Sequence, residues 1–90
     1  MRNELEAILK NDLRTLSLRT RARLRLTQEQ MAEHLCMSPR SYIDIESGLS
    51  MCGTLTVVLL LMDQDDPASV LAELRGKFSK LRADGEVVNL

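Results

Sequence analysis

Three residues between Ser38 and Gly48 have the types and the spacing needed to recognise base edges in a nucleic-acid duplex. Arg40 can donate two hydrogen bonds to O6 and N7 of a guanine. Asp44 can accept a hydrogen bond from N4 of a cytosine, and Ile43 can contact the methyl group of a thymine. Positions three and four apart lie on one face of a helix, so a helix here would present the three side chains together.

Neighbouring polar residues suit contacts to phosphates. Gln28 lies at an expected helix N-terminus, where its amide and the free backbone N–H groups can bind a phosphate. Ser41 and Ser47 could reach either bases or phosphates. Gln28 and Ser38 fit a second interpretation equally well, because polar side chains at these places also serve as helix-start residues. Asp44 fits an intramolecular salt bridge as well as a base contact.

Two capped helices are predicted to carry these residues. Thr27 is a good N-cap, and Gln30 three residues later completes a capping box. Ser38 caps the next helix, and Pro39 occupies the first turn, where a missing N–H costs little. Gly48 can adopt a positive φ and end that helix. We therefore predict two short helices joined by a tight turn.

The inward faces of these two helices follow from apolar spacing. The residues expected to face inward are Met31, Ala32, Leu35, Tyr42, Ile45 and Leu49. Glu46 lies close to this face, so we expect it to have a structural role. The outward face of the second helix then carries Arg40, Ile43, Asp44 and Ser47.

Further helices are predicted on both sides of this pair. Residues 1–25 show amphipathic spacing that fits either one long helix or two short ones. The segment 54–62 is almost wholly apolar, which by itself fits a helix or a buried strand, and its helical surroundings favour a helix. Asp66 caps a last helix, and Asp84 with Gly85 should stop it near residue 82. The C-terminal helices, 54–82, are expected to complete the core and to dimerise.

The composition fits one small domain, 1–90. Of the 90 residues 44% are hydrophobic, and Tyr42 and Phe78 are the only aromatic ones. A chain of this length can bury one modest core, and aliphatic residues with few glycines and prolines favour helices. The net charge of −1 gives no reason to expect a polyanionic partner, but residues 1–25 carry a basic excess.

Arginines alternate with other residues at the end of this basic stretch. They are Arg19, Arg21, Arg23 and Arg25. Such side chains could contact phosphates that flank a binding site. Because they are spaced two apart, they cannot all share one face of a straight helix. We therefore expect about two of them to reach DNA.

The sequence gives little support to other classes of function. It shows no nucleophile paired with a base and no Gly-rich phosphate loop, so we expect no enzyme and no cofactor. His34 has no acidic or cysteine partner at metal-ligand spacing, so we expect a surface residue and no metal site. The run Val57–Met62 is shorter than the ~20 residues of a membrane span. The start, Met1–Lys10, lacks the apolar core of a secretory signal, so we expect a cytoplasmic protein that does not bind membranes.

Two cysteines are present, Cys36 and Cys52. Their spacing matches neither a redox pair nor a zinc knuckle. We expect both thiols to be reduced and at least partly buried, without a disulfide between them.

The segment LTQEQMAEHLCMSPRSYIDIESG resembles the helix-turn-helix of the Cro and phage-repressor type, often called the XRE family. The cues are the Leu-Thr-Gln-Glu opening at 26–29, Met31-Ala32 and Leu35 in the first helix, and the stretch 38–48 with Ile45-Glu46 near its end. The resemblance implies an all-α, five-helix, repressor-like domain whose motif spans 27–48, with a possible helical extension at the N-terminus. Family members usually have glycine where Cys36 stands, and many carry a basic residue where Asp44 stands.

The expected function is sequence-specific DNA binding by a transcriptional regulator, with repression as its effect. Double-stranded DNA is the expected partner, and a homodimer is the expected state. The residues proposed for its interface are Leu60, Leu61, Leu71, Leu74 and Phe78. The alternative is a protein-interaction module, for example an antitoxin-like partner, which uses the same fold without tight DNA binding.

Overall fold

Five α-helices make up the described part of the chain. The computed structural model describes residues 1–51 and 53–89, and the side chains of residues 1–51 and 53–83. The helices are α1 (Arg2–Leu24), α2 (Gln28–His34), α3 (Pro39–Glu46), α4 (Thr54–Met62) and α5 (Pro67–Asn89). The described residues contain no β-strand, so the all-α, five-helix prediction is confirmed. Within the same ranges, no helix combines the length and the apolarity needed to cross a membrane.

The N-terminal stretch is one helix rather than two. Thr20, which interrupts the apolar spacing, is buried against the core together with Ser17. The Thr20 hydroxyl accepts a hydrogen bond of 2.9 Å from Nε2 of Gln64, so this oxygen is satisfied inside the protein. α1 ends only at Leu24, where Arg25 adopts a left-handed conformation with φ 58°. The small polar residues therefore continue the buried stripe instead of breaking it.

The predicted starts of α2 and α3 are confirmed. Thr27 and Gln30 form the reciprocal capping box, with hydrogen bonds of 2.9 and 3.1 Å. Ser38 Oγ accepts a hydrogen bond of 3.2 Å from the backbone N–H of Ser41. Between the two helices the chain turns at Cys36, which has a positive φ of 59°. These local signals orient α3 against α2.

α3 ends sooner than the apolar spacing suggests. The last residue in the helix is Glu46, and Gly48 has the expected positive φ of 76°. Leu49 lies beyond this turn and is 72% exposed. The prediction that Leu49 shares the buried face of Tyr42 is wrong, because helical spacing no longer applies after Glu46.

α4 and α5 form a second helical pair. The apolar segment 54–62 is helical, as its context indicates. Asp66 Oδ1 accepts a hydrogen bond of 3.3 Å from the backbone N–H of Ser69, which confirms the predicted cap. The expected stop at Asp84 and Gly85 is wrong, because α5 continues to Asn89. A single glycine inside a helix costs only about 1 kcal/mol relative to alanine, which is too little to end it. Stopping the helix there would leave residues 86–90 as a tail; residues 86–89 are helical instead, and Leu90 lies outside the described residues.

The core lies around α1, which packs against α3, α4 and α5. α2 packs against α3. Its buried apolar residues are Leu13, Leu16, Met31, Ala32, Leu35, Tyr42, Ile45 and Leu60. Five of the six residues expected to face inward belong to this set, and Leu49 is the exception. Leu60 is fully buried here. The prediction that Leu60 faces a second subunit is therefore wrong, because its side chain completes the core of its own chain.

Cys36 is exposed, not buried. It occupies the turn between α2 and α3, where its backbone is left-handed. The expectation of at least partial burial is wrong for this residue. Cys36 is a free cysteine, and Cys52 lies outside the described residues.

Candidate nucleic-acid interface

The outward face of α3 brings together the residues proposed to recognise bases. Ser38, Arg40, Ser41 and Ser47 are exposed, whereas Ile43 and Asp44 are half-buried. On the opposite side of the same helix, Tyr42, Ile45 and Glu46 are buried. α3 thus presents a polar outer face on a helix whose inner face is anchored in the core. Seven residues were proposed, and the seventh, Gln28, lies at the start of α2.

Arg40 and Asp44 form an ion pair along this outer face. Arg40 Nε lies 3.7 Å from Asp44 Oδ1, and the two side chains are 86% and 28% exposed. An exposed pair four residues apart contributes at most about 0.5 kcal/mol. Arg40 can therefore exchange this partner for a guanine or a phosphate at little cost. Asp44 acts as an intramolecular partner in the unliganded chain.

The serine hydroxyls are also engaged within the helix. Ser38 Oγ donates to Ser41 Oγ at 2.9 Å, in addition to its capping bond. Ser47 Oγ donates to the carbonyl oxygen of Ile43 at 2.9 Å. The Ser41 hydroxyl keeps its own hydrogen, because in this pair it acts as the acceptor. Of the three, Ser41 is best placed to donate a hydrogen bond to an external acceptor.

Gln28 is tied to the C-terminal end of α3. Its Nε2 donates a hydrogen bond of 2.9 Å to Glu46 Oε1. This bond uses one of the two amide hydrogens and leaves one for a phosphate. The side chain is half-buried, so its position is fixed before any ligand arrives.

Glu46 is the centre of a buried polar network that joins three helices. Its side chain is 5% exposed and accepts hydrogen bonds of 2.6 and 3.2 Å from Nε and Nη2 of Arg21. The Tyr42 hydroxyl also donates to Glu46, and Gln28 supplies the bond described above. The carboxylate thereby connects α1, α2 and α3. A buried charge needs such partners, because an unpaired one would be strongly unfavourable.

The network shifts the pKa values of its members. Burial by itself would raise the pKa of Glu46, but hydrogen bonds from Arg21, Tyr42 and Gln28 outweigh it and hold the pKa below its ordinary value. The hydrogen bond to Glu46 raises the pKa of Arg21. Burial, followed by the bond to Glu46, raises the pKa of Tyr42 well above its ordinary value. Glu46 is therefore a charged acceptor, and Tyr42 is a neutral donor.

A second arginine of α1 holds the end of α3. Arg14 Nε donates a hydrogen bond of 2.8 Å to the backbone oxygen of Glu46. Carbonyl groups in the last turn of a helix lack partners within the helix, so this bond acts as a C-terminal cap. Arg21 is one of the four alternating arginines, about two of which are predicted to reach DNA, and the sequence predicts no role for Arg14. The apolar spacing indicated that Glu46 was structural but did not reveal its partners.

The alternating arginines point in different directions. Arg21 is used by Glu46, and Arg23 donates to the backbone oxygen of Asp63. Arg19 and Arg25 are exposed. Arg25 lies two residues before Thr27, the N-cap of α2, so it remains a candidate for a phosphate contact beside the motif.

His34 lies at the surface, 41% exposed, at the end of α2. Its Nε2 is 2.9 and 3.0 Å from the two carboxylate oxygens of Asp63, which follows α4. The contact links the motif to the C-terminal helices. Among the described residues, no group of three or more His, Cys, Asp and Glu side chains is arranged to hold a metal ion.

No protein-family model, curated protein or solved structure matches this chain significantly. The resemblance to the XRE-type motif therefore rests on the motif residues themselves. What the geometry adds is the exposed polar face of α3 and the network that fixes this helix.

Proposed function

We propose that this chain is a sequence-specific DNA-binding transcriptional regulator of the XRE type, acting in the cytoplasm as a repressor. α2 and α3 form its helix-turn-helix, and α3 is the recognition helix that enters the major groove. The observation that carries the proposal is the exposure of Arg40, 86%, on the first turn of α3. N-terminal residues of a recognition helix are the ones that reach base edges.

The rigidity of α3 supports this proposal. Base recognition requires side chains held in place by elements that are themselves fixed. The cap at Ser38 fixes the start of α3. The bonds from Arg14 and Arg21 to Glu46 fix its end. α3 therefore does not need to form or reorient when DNA binds.

The charge of the recognition face sets the strength of binding. Arg40 is its one basic residue, and Asp44 neutralises it in the free chain. Few phosphates would be neutralised, so non-specific binding should be weak and should depend only moderately on salt. Specific binding then relies on Arg40 leaving Asp44 for a guanine and on flanking contacts from Gln28 and Arg25.

A homodimer is part of the proposal. Two recognition helices related by two-fold symmetry would contact half-sites about one DNA turn, ~34 Å, apart. Because Leu60 is buried in its own chain, the interface residues that we propose are Leu61, Leu71, Leu74 and Phe78. Leu71 is 51% exposed, and the other three are half-buried. These side chains are therefore accessible to a second copy.

Selection from a pool of random duplex DNA tests the proposed function directly. The full chain at low salt should enrich a two-fold symmetric motif, and the enriched duplex should bind more tightly than a scrambled one. The Arg40→Ala variant is the matched control, because Arg40 is exposed and its loss should leave the fold intact. Failure of the natural chain to enrich any motif would overturn the proposal.

A protein-interaction module is the second candidate, and one observation favours it. The polar groups of the α3 face and of Gln28 have partners within the chain, Asp44 and Glu46 among them. Such a face is nearly neutral, which suits a protein partner better than a polyanion. Binding to random duplex DNA at several salt concentrations separates the two candidates. A DNA-binding protein should bind at low salt and lose affinity as the salt concentration rises, whereas a module without DNA function should show no binding even at low salt.

A further inference from the structure

α1 and α5 form an antiparallel pair that extends beyond the core. Gln64, just before α5, bonds to Thr20 near the end of α1. Farther along α5, Lys77 Nζ lies 2.9 and 3.0 Å from the carboxylate oxygens of Asp12. Later residues of α5 thus meet earlier residues of α1. We refer to residues 2–12 of α1 together with 71–83 of α5 as the arm.

Most apolar side chains of the arm are incompletely buried. Leu9 on α1 and Val70 on α5 pack against the core cluster. Beyond them, among the residues whose side chains are described, Leu5, Ile8, Leu74, Phe78 and Leu81 are half-buried, and Leu71 is 51% exposed. A helix that packs against a single partner has only one face covered by it. Each helix of the arm therefore keeps a seam of apolar side chains partly exposed to solvent.

The spacing of this seam is that of a helical bundle. Leu71, Leu74, Phe78 and Leu81 follow one another at intervals of three, four and three residues. This is the repeat by which helices pack as knobs into holes. Leu5 and Ile8 are spaced by three residues on the N-terminal half of α1. The arm therefore has the pattern of one half of a four-helix bundle.

The solvent-accessible surface of the chain is larger than that of a compact monomer of the same mass. A compact monomer of 10.2 kDa exposes about 5,300 Å², whereas this chain exposes 6232 Å². The surplus of roughly 900 Å² is close to the ~800 Å² that each partner buries in a stable interface. The radius of gyration, 14.3 Å, likewise exceeds the roughly 12 Å expected for a compact chain of this length.

We propose that the arms of two copies of this chain pack together as a four-helix bundle. A second copy supplies a two-helix arm of the same length and spacing, and the assembly closes by two-fold symmetry. The segment 73–82 of α5 holds four basic residues and one acidic residue, whereas residues 2–12 of α1 hold three acidic and two basic residues. On α1, Glu4 pairs with the N-terminal amine and Glu6 pairs with Arg2. α5 of one copy therefore faces α1 of the other, since two basic α5 helices would repel each other.

This inference deepens the homodimer of the proposed function and does not require DNA binding. The test is sedimentation equilibrium of the full chain without DNA at micromolar concentrations. The natural chain should have twice its mass of 10.2 kDa. Leu71→Glu and Ile8→Glu should each weaken the dimer by at least about tenfold, because each places a charge in an apolar seam.

Leu55→Glu is the matched control. Leu55 is 61% exposed on α4, outside the arm, and should tolerate the same change without loss of the dimer. Circular dichroism verifies that each variant is folded, and Leu71→Glu remains decisive if Ile8→Glu loses helix. A monomeric natural chain, dissociation by Leu55→Glu alone, or a folded Leu71→Glu or Ile8→Glu variant that stays dimeric would overturn the bundle. A dimer that enriches no DNA motif would instead overturn the proposed function and leave the bundle standing.

Discussion

Arg21 of α1 holds the carboxylate of Glu46 at the end of α3 through two hydrogen bonds, of 2.6 and 3.2 Å. The two residues are 25 positions apart in the chain. The pair fixes α3 from the side opposite to its exposed face. The position of Arg40 in space therefore depends on an interaction that no ligand would touch.

Arg21→Met should destabilise the chain strongly. It leaves the Glu46 charge buried with only neutral donors, and removal of one member of a buried ion pair typically costs about 3–5 kcal/mol. Urea unfolding, monitored by circular dichroism, measures this cost. Arg19→Met is the matched control on the same helix, because Arg19 is exposed, and it should change stability by less than about 0.5 kcal/mol. Equal stability of the two variants would contradict a supporting role for the pair.

The stability of the chain should decrease in acid through Glu46. The pKa of Glu46 is lowered in the folded protein from its ordinary value of 4.5. A lowered pKa means that the charged form stabilises the fold, so this contribution is complete above pH 4.5 and is lost as the pH falls through the lowered pKa. Urea unfolding at several pH values between neutral and acid should show the loss. The curve for Glu46→Gln should be flatter, and parallel curves would refute the assignment.

Arg40→Ala should weaken binding to the selected duplex by about 1–3 kcal/mol and relax the base preference at one position. Its partner gives a second measurement. Asp44→Asn should either change the preferred base or strengthen binding to all duplexes. The first outcome marks Asp44 as a base contact, and the second marks it as a residue that repels phosphates and restrains Arg40. Unchanged affinity and preference for Arg40→Ala would show that α3 does not recognise DNA.

Gln28→Ala should weaken binding to cognate and scrambled duplexes alike, because phosphates carry no sequence information. The same change also removes one donor from Glu46, so stability must be measured beside affinity. Gln28→Glu provides the comparison, since it retains the length of the side chain but repels both Glu46 and phosphate. A change in base preference with Gln28→Ala would be inconsistent with a phosphate contact.

Cys36→Gly should stabilise the chain. Cys36 has a φ of 59°, a left-handed conformation that costs an L-residue roughly 1–2 kcal/mol but is open to glycine. The greater flexibility of glycine in the unfolded chain offsets part of this gain, so we expect a net increase of about 0.5–1 kcal/mol. Glu33→Gly, three residues earlier inside α2, should have the opposite effect. Thermal unfolding of both variants measures the difference, and a loss of stability in Cys36→Gly would disprove strain at this turn.

The helix starts could be predicted from the sequence because caps are local. Thr27, Ser38 and Asp66 each bond to a backbone N–H three residues away, and the residue types alone indicate this. The outward position of Arg40 follows from the same starts, since helical spacing then assigns each side chain to a face. Glycines were a less reliable guide. Gly48 follows the end of α3, whereas Gly85 lies within α5.

The partners of buried residues could not be predicted in the same way. Leu60 and Leu61 are equivalent in sequence, yet only Leu60 is fully buried, because the packing of α4 on α1 selects one face of an apolar helix. Arg21 resembles Arg19 and Arg23, but only its place opposite Glu46 makes it a structural residue. Such assignments depend on how helices distant in the sequence pack against each other. The spacing of residues within one helix carries no information about that packing.

The contact between Asp12 and Lys77 joins residues 65 positions apart, whereas the contacts between α2 and α3 are local. Closing a long loop carries a larger entropic cost than closing a short one. The motif can therefore form early in folding, while the two chain ends come together late. In a single copy of the chain, we accordingly expect the arm to be the region least protected against hydrogen exchange. Newly made chains would display an ordered helix-turn-helix before their terminal helices have found each other.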